Sequence, residues 1–268
     1  MTDQAASIGL VIRHGRDRDP VASAIVRAIA GPLLAAGMRF ITRSVDDEES
    51  ELRTYRLWAR VGGIAGVIVL GADEDDARIR LLRQIDMPFV ALAPVAHEVD
   101  YPAVTVDASA ASRALAAYLD GHPARRWVYI TSQSEPDPLV SEAGEAADGG
   151  ERRIETLQTP DVVAEALRVA GESSPDAPSV LIFDNDHDAV AALDALEEHG
   201  ILVPEAVSLI CWSDSLVCQS ASRPITAIDR HGREIGALLG TAALAAIHDG
   251  DVVPVAAPQP VVVVRETT

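Results

Sequence analysis

Short apolar or β-branched runs recur along the chain at Ile8-Ile12, Arg39-Arg43, Gly66-Leu70, Phe89-Ala93, Ala103-Val106, Trp127-Thr131, Arg153-Leu157, Ser179-Phe183, Val207-Trp212, Ile225-Ile228 and Val261-Arg265. Runs with so little alternation read as strands covered on both faces. Between most of them lie stretches of helical periodicity, at Pro20-Ala36, Glu48-Val61, Asp75-Gln84, Ala108-Leu119, Pro160-Ala170, Asp186-His199 and Arg230-His248. A strand and helix alternation of this kind predicts βαβ units, hence parallel sheets with helices on both faces. Eleven strands are many for one doubly wound sheet, so two sheets are expected.

Local chemistry places the boundaries. Asp19-Pro20 and Thr159-Pro160 put a capping side chain before a proline suited to the first helical position, and Asp46 with Glu49 resembles a capping box. Gly37, Gly200 and Gly250 sit where helices should stop. The stretch from Ser132 to Gly150 is the least regular, with one short helix expected around Val140-Ala147.

Composition narrows the function classes. The 268 residues hold 41 Asp and Glu against 22 cations, all of them Arg, for a formal charge of −19. Such a surface repels phosphate backbones and anionic lipid, so this chain by itself is not expected to hold DNA or a membrane. The absence of lysine removes Schiff-base and phosphate-loop chemistry. Neither a nucleophile elbow nor a dinucleotide fingerprint is present, and the seven histidines lack metal-ligand spacing. No catalytic residue, metal or cofactor is expected. Cys211 and Cys218 read as unpaired thiols, and the N-terminus lacks the pattern of a signal peptide, which together predict a cytoplasmic address.

The densest acidic motif, Asp184-Asn185-Asp186-His187-Asp188, fails as a calcium loop because Ala189 and Ala195 stand at the required Gly and Glu positions. It reads as a strand-to-helix corner whose acids favour the helix dipole, with a two-carboxylate magnesium site as the alternative. The acidic runs Asp46-Glu51 and Asp73-Asp76 read as solvated helix starts. In open α/β sheets ligands sit beyond the carboxyl ends of the strands. Here those ends are His14 to Asp19, Ser44, Gly71-Ala72, Ala93-Pro94, Asp107, Ser132, Asp184-Asn185 and Ser213-Asp214. With two lobes, their loops are expected to face each other across a cleft that closes on a small polar ligand.

Several segments share an order and spelling with a known family: Ile8-Gly-Leu-Val-Ile12 with Asp19-Pro20, Gly63-Ile-Ala-Gly-Val-Ile-Val-Leu70, Met87-Pro-Phe-Val90, Val104-Thr-Val-Asp107, Gly121-His122 with Arg125-Arg126, Phe183-Asp-Asn-Asp186, Gly200-Ile-Leu-Val-Pro-Glu-Ala-Val-Ser208 and the closing Val264-Arg-Glu-Thr267. From about residue 7 onward the chain resembles the effector-binding core of the lactose/galactose-repressor (LacI/GalR) family. The resemblance implies a periplasmic-binding-protein-like α/β fold of type I, with two Rossmann-like lobes of parallel strands joined by three crossovers. The lobes would be 7–107 plus 225–250 and 108–222 plus 255–268. It also implies a small-molecule, sugar-like effector in the cleft, a homodimer, and DNA binding coupled to lobe closure through a helix-turn-helix headpiece that is missing from this sequence.

The candidate ligand-binding set is His14, Arg16, Asp19, Asp107, Ser141, Asn185, Trp212, Ser213 and Asp214. Ser141 stands where the family often has an arginine, and Ser213 where it has the first of two acids, so two charge-assisted grips on sugar hydroxyls are replaced by serine. Arg13, His14, Arg16 and Arg18 could compensate by facing an anionic group. Two other classes stay open: a stand-alone solute-binding protein of the transport type, and a metal-assisted enzyme using Asp184, Asp186 and Asp214.

Overall fold

The computed structural model describes residues 6–14, 20–95, 99–124, 126–146, 153–248 and 253–268. The chain opens with β1 (Ser7–Arg13), α1 (Pro20–Ala35), β2 (Arg39–Val45), α2 (Glu48–Val61), β3 (Ile64–Val69), α3 (Ala77–Gln84), β4 (Phe89–Pro94) and β5 (Ala103–Val106). It continues with α4 (Ala110–Asp120), β6 (Arg126–Thr131), α5 (Pro138–Ala146), β7 (Ile154–Gln158), α6 (Val162–Gly171), β8 (Ser179–Phe183), α7 (Asp186–Glu198), β9 (Val207–Cys211), α8 (Leu216–Gln219) and β10 (Thr226–Asp229). Last come α9 (Gly232–His248), β11 (Val255–Ala256) and β12 (Val261–Val263).

Two compact units result, Met1–Ala108 with His231–Pro258 and Ser109–Arg230 with Gln259–Thr268, so the chain passes between them three times. Each holds a six-stranded sheet, in the orders β11-β5-β4-β3-β1-β2 and β12-β10-β9-β8-β6-β7. Every pairing is parallel except β10 with β12. That antiparallel edge strand departs from the expected all-parallel sheet, and β11 is too short to have shown in the periodicity. The α/β fold with two mostly parallel sheets is as the strand and helix alternation predicts.

Strand residues point alternately to the two faces. In the first unit Ile8, Leu10, Ile68, Val90 and Val104 pack with Ile25, Ile29 and Leu33 of α1 and with Ile235 and Leu239 of α9. The alternate residues Val11, Val67, Val69 and Ala91 pack with Tyr55 of α2 and with Ile79 and Leu82 of α3. The second unit repeats the arrangement, with Leu181 and Leu209 facing α6 and α7 and with Val180 and Ile210 facing α4 and α5. Helices α1 and α9 approach closely because α9 carries Gly236 and Gly240 in the contact: a Cβ on Gly236 would overlap the carbonyl of Ile25, and one on Gly240 would come within 2.7 Å of that of Ile29.

Several expected boundaries move. β10 pairs with β9, so residues 226–229 belong to the second unit rather than to a first-lobe segment 225–250. That first-unit segment instead runs from His231 to Pro258, because β11 pairs with β5. Asp47, not Asp46, caps α2, accepting from the Ser50 backbone N–H at 2.7 Å. Asp161, not Thr159, caps α6 through the N–H of Ala164. Helix α4 begins at Ala110 rather than Ala108. Gly37 and Gly200 follow α1 and α7 with φ of 75° and 69°, a left-handed conformation glycine adopts without steric cost. Asp19 and Gly250 lie outside the described residues. Cys211 and Cys218 are buried free thiols. Among the described residues no helix is long and apolar enough to cross a membrane.

Candidate functional site

In each sheet the strand order reverses once, between β1 and β3 in the first unit and between β6 and β8 in the second. Helices on either side of such a reversal leave a crevice at the carboxyl ends of the strands. The polar groups of each unit gather at that place.

In the second unit, Tyr129 and Thr131 on β6 lie beside Asp184, the residue that follows β8. Both hydroxyls donate to Asp184 Oδ2, each at 2.7 Å. Asp184 Oδ1 is buried and accepts no hydrogen bond from a described residue. Burial raises the Asp184 carboxyl above its ordinary range, against the opposing pull of the two hydroxyl bonds. The Tyr129 phenol is raised in turn, by burial first and by the bond to Asp184 second. Tyr129 Oη also accepts from the backbone N–H of Asp137, whose carboxylate accepts from the Trp212 indole N–H at 2.9 Å. The guanidinium of Arg230 lies 5.7 Å from the centre of the Trp212 ring and donates to Ser213 Oγ at 2.7 Å. One polar chain thus runs across the ends of β6, β8, β9 and β10.

In the first unit the ends of β1 and β3, with α1 and α2, enclose a cavity of about 620 Å³. Its walls include Val11, Ile12, Val26 and Leu70, and its charged lining among the described residues is Arg13, Arg27, Glu51 and Arg78. Glu51 is 1% exposed. Its Oε1 accepts from Tyr55 Oη at 2.7 Å and lies 3.5 Å from Arg78 Nη1, while Oε2 lies 3.2 Å from Arg13 Nε. Arg78 is anchored by the carbonyls of Leu70 and Gly71 and by Asp76 at 2.6 Å. Burial works against the Arg78 charge, but Asp76 and Glu51 outweigh it and hold the proton more firmly than in water.

The candidate residues divide between the two units. His14 follows β1, is exposed, and lies 3.8 Å from Asp46. Asp107 follows β5, which β4 and β3 separate from β1, so the sheet does not bring it to His14. Arg16 and Asp19 lie outside the described residues, and Ser141 is on α5 with its side chain also outside them. Asn185, Trp212, Ser213 and Asp214 fall at the ends of neighbouring strands β8 and β9. Their side chains already have partners. Asn185 caps α7 through the N–H groups of His187 and Asp188. Ser213, 1% exposed, holds Arg230, and Asp214 pairs with Arg265 at 2.8 Å.

No motif or spacing in the sequence singles out Tyr129, Thr131, Asp137, Glu51 or Arg78 as site residues. Glu51 and Asp76 lie in the two acidic runs read as solvated helix starts, yet Glu51 is buried and Asp76 caps α3 while clamping Arg78. Asp186, invoked with Asp184 and Asp214 for a metal, accepts from the His187 N–H at the start of its own helix. Among the described residues no group of three or more His, Cys, Asp or Glu is placed to hold a metal ion.

Comparison with known proteins fits this architecture. The family of periplasmic binding protein-like domains matches residues 124–268, more than half of the chain. The HTH-type transcriptional regulator CelR of Thermobifida fusca is 26% identical over 266 aligned residues, spanning 89% of this chain and 75% of that protein. A LacI family transcriptional regulator from Bifidobacterium animalis subsp. lactis superposes with a TM-score of 0.72 at 26% identity, covering 98% of this chain and 97% of that one. A CelR–cellobiose complex superposes with a TM-score of 0.68 at 21% identity, covering 98% of this chain and 84% of that one.

Proposed function

Since the chain belongs to the periplasmic binding protein-like family, we propose that it is the effector-binding core of a LacI-type transcriptional regulator, as its similarity to such regulators supports, and that it senses a small polar, sugar-like molecule and acts by binding rather than by catalysis. The observation that carries this reading is the coincidence, in each unit, of the strand-order reversal with buried carboxylates, one oxygen of which accepts no hydrogen bond from a described residue: Glu51 Oε2 and Asp184 Oδ1. Buried polar atoms are nearly always hydrogen-bonded, so an unfilled acceptor at a crevice fits a ligand donor such as a sugar hydroxyl.

The effector would change the balance between arrangements of the two units by binding them unequally, which is the thermodynamic condition for allosteric output. DNA binding is assigned to a helix-turn-helix headpiece in a longer parent protein, and the working form to a homodimer in the cytoplasm. The relative whose structure holds cellobiose makes β-linked glucosides the first saccharides to try. Isothermal titration against a saccharide panel including cellobiose, with Asp184→Asn as control, tests the reading. Saturable binding that the substitution weakens by about tenfold, the scale of one lost bond to a charged group, is expected. A flat titration across the panel would remove the effector role. Light scattering at micromolar concentration tests the dimer.

A further inference from the structure

We propose that the cavity of the first unit takes a hydroxyl-bearing organic anion, of the sugar phosphate or sugar acid class, in preference to a neutral saccharide. This inference rests on the effector-binding reading and names the ligand class for that site. Its ground is an imbalance between the groups that face the cavity and the bonds they make.

The chain carries nearly two acids for each arginine, yet among the described residues this cavity is lined by Arg13, Arg27 and Arg78 against the single acid Glu51. Arg78 is filled: its donors go to two backbone carbonyls and to Asp76, so it acts as a fixed charge below Leu70 and Gly71. Arg13 is not. Its ion pairs to Glu51 and Glu48 measure 3.2 and 3.5 Å, and it donates no hydrogen bond to a described residue although its side chain is only 21% exposed. Arg27, on the second turn of α1, pairs with no carboxylate among the described residues. The Arg27 guanidinium and Arg13 Nη2, the Arg13 nitrogen in neither ion pair, leave donors at one cavity that suit a carboxylate or a phosphate.

The second half of the imbalance is Glu51 Oε2, buried and lining the same cavity, which meets Arg13 Nε as an ion pair at 3.2 Å but accepts no hydrogen bond from a described residue. An anion cannot fill it; a hydroxyl can. Val11, Ile12, Val26 and Leu70 then offer an apolar wall of the kind that covers the C–H face of a sugar ring. An anionic head, a donor hydroxyl and an apolar face on one small molecule describe a charged sugar derivative. The cavity, about 620 Å³, falls within the ordinary range for small-molecule sites.

The test is isothermal titration of the whole chain with glucose, glucose 6-phosphate, glucuronate and inorganic phosphate, repeated on Arg27→Gln and Arg13→Gln. The expected result is tighter binding of a charged hexose than of glucose by about tenfold or more, with Arg27→Gln removing most of that difference. The two charged hexoses separate a phosphate from a carboxylate preference. Arg27 is exposed, so its variant keeps the fold, and a melting curve checks this for Arg13→Gln. Inorganic phosphate binding as tightly as the sugar phosphate would overturn the hydroxyl requirement. Neutral saccharides binding as tightly as charged ones, with both variants unaffected, would overturn the inference while leaving the effector reading intact. Binding of neither class would overturn both.

Discussion

The indole N–H of Trp212 donates to the carboxylate of Asp137 at 2.9 Å, tying the end of β9 to the start of α5 across 75 residues of chain. Trp212 is 2% exposed, so its N–H has no access to water if the acceptor is lost, and the carboxylate loses its buried donor if the indole goes. Leaving a buried partner unsatisfied costs about 1–3 kcal/mol. Trp212→Phe should therefore lower the unfolding free energy by that amount in urea titration. Asp137→Asn should cost a similar amount, because one amide oxygen replaces two carboxylate oxygens that accept from the Trp212 indole and from the Leu139 N–H. A Trp212→Phe variant as stable as the parent would show that the hydrogen bond is unimportant to the tie.

Asp184 supplies a prediction with a definite pH sign. Burial raises its folded pKa above the unfolded value of about 3.9, so the folded state holds the proton more tightly. The stabilisation belonging to the protonated form is present below that value and is lost as the pH rises through the folded pKa. Asp184→Asn retains an acceptor for Tyr129 and Thr131 without the charge, and should melt higher than the parent at pH 7, with the gap closing below about pH 3.9. A variant that melts lower at pH 7 would show that the carboxylate is favoured there.

The contact of α9 with α1 predicts opposite outcomes for two glycine substitutions. Gly236→Ala places a Cβ on the Ile25 carbonyl, which is backbone and cannot swing away, so the helices must part. Overpacking of this kind costs about 1–3 kcal/mol. Gly31→Ala, within α1, meets nothing within 4 Å and should stabilise by about 0.5–1 kcal/mol through helix propensity. Thermal melts of the two variants suffice.

His122 predicts acid sensitivity. Half-burial depresses its pKa below the ordinary 6.5, and its Nδ1 accepts from the Ala124 N–H, which needs the neutral ring. The unfolded chain therefore binds a proton at a pH where the folded one does not, and stability should fall as the pH drops through about 6.5. His122→Gln should flatten that part of the pH–stability profile. An unchanged slope would assign it to other groups.

Strands and helices were legible because strands buried on both faces carry apolar runs, as in Ser179–Phe183, where all five residues are buried. β11 escaped since Val255 and Ala256 are too few to form a run. The site was less legible. Tyr129 and Thr131 look like ordinary strand residues until β8, paired beside β6, sets Asp184 between them. Glu51 and Arg78 are 27 residues apart, the first in a run that reads as a solvated helix start and the second in the helical stretch after another, and only their packing shows that one answers the other. Conversely, Asn185, Ser213 and Asp214 stand at strand ends as expected, but their side chains are already bonded within the protein.

The threefold passage of the chain between its units sets an order of assembly. β6 to β10, five of the six strands of the second sheet, are emitted in one uninterrupted stretch, whereas α1 waits for α9, some two hundred residues later. During vectorial synthesis Ile25, Ile29 and Leu33 can meet β1, β3 and β4 early, but the flank of α1 that α9 covers stays open until some two hundred further residues have emerged, a surface that a ribosome-associated chaperone would meet before α9 does.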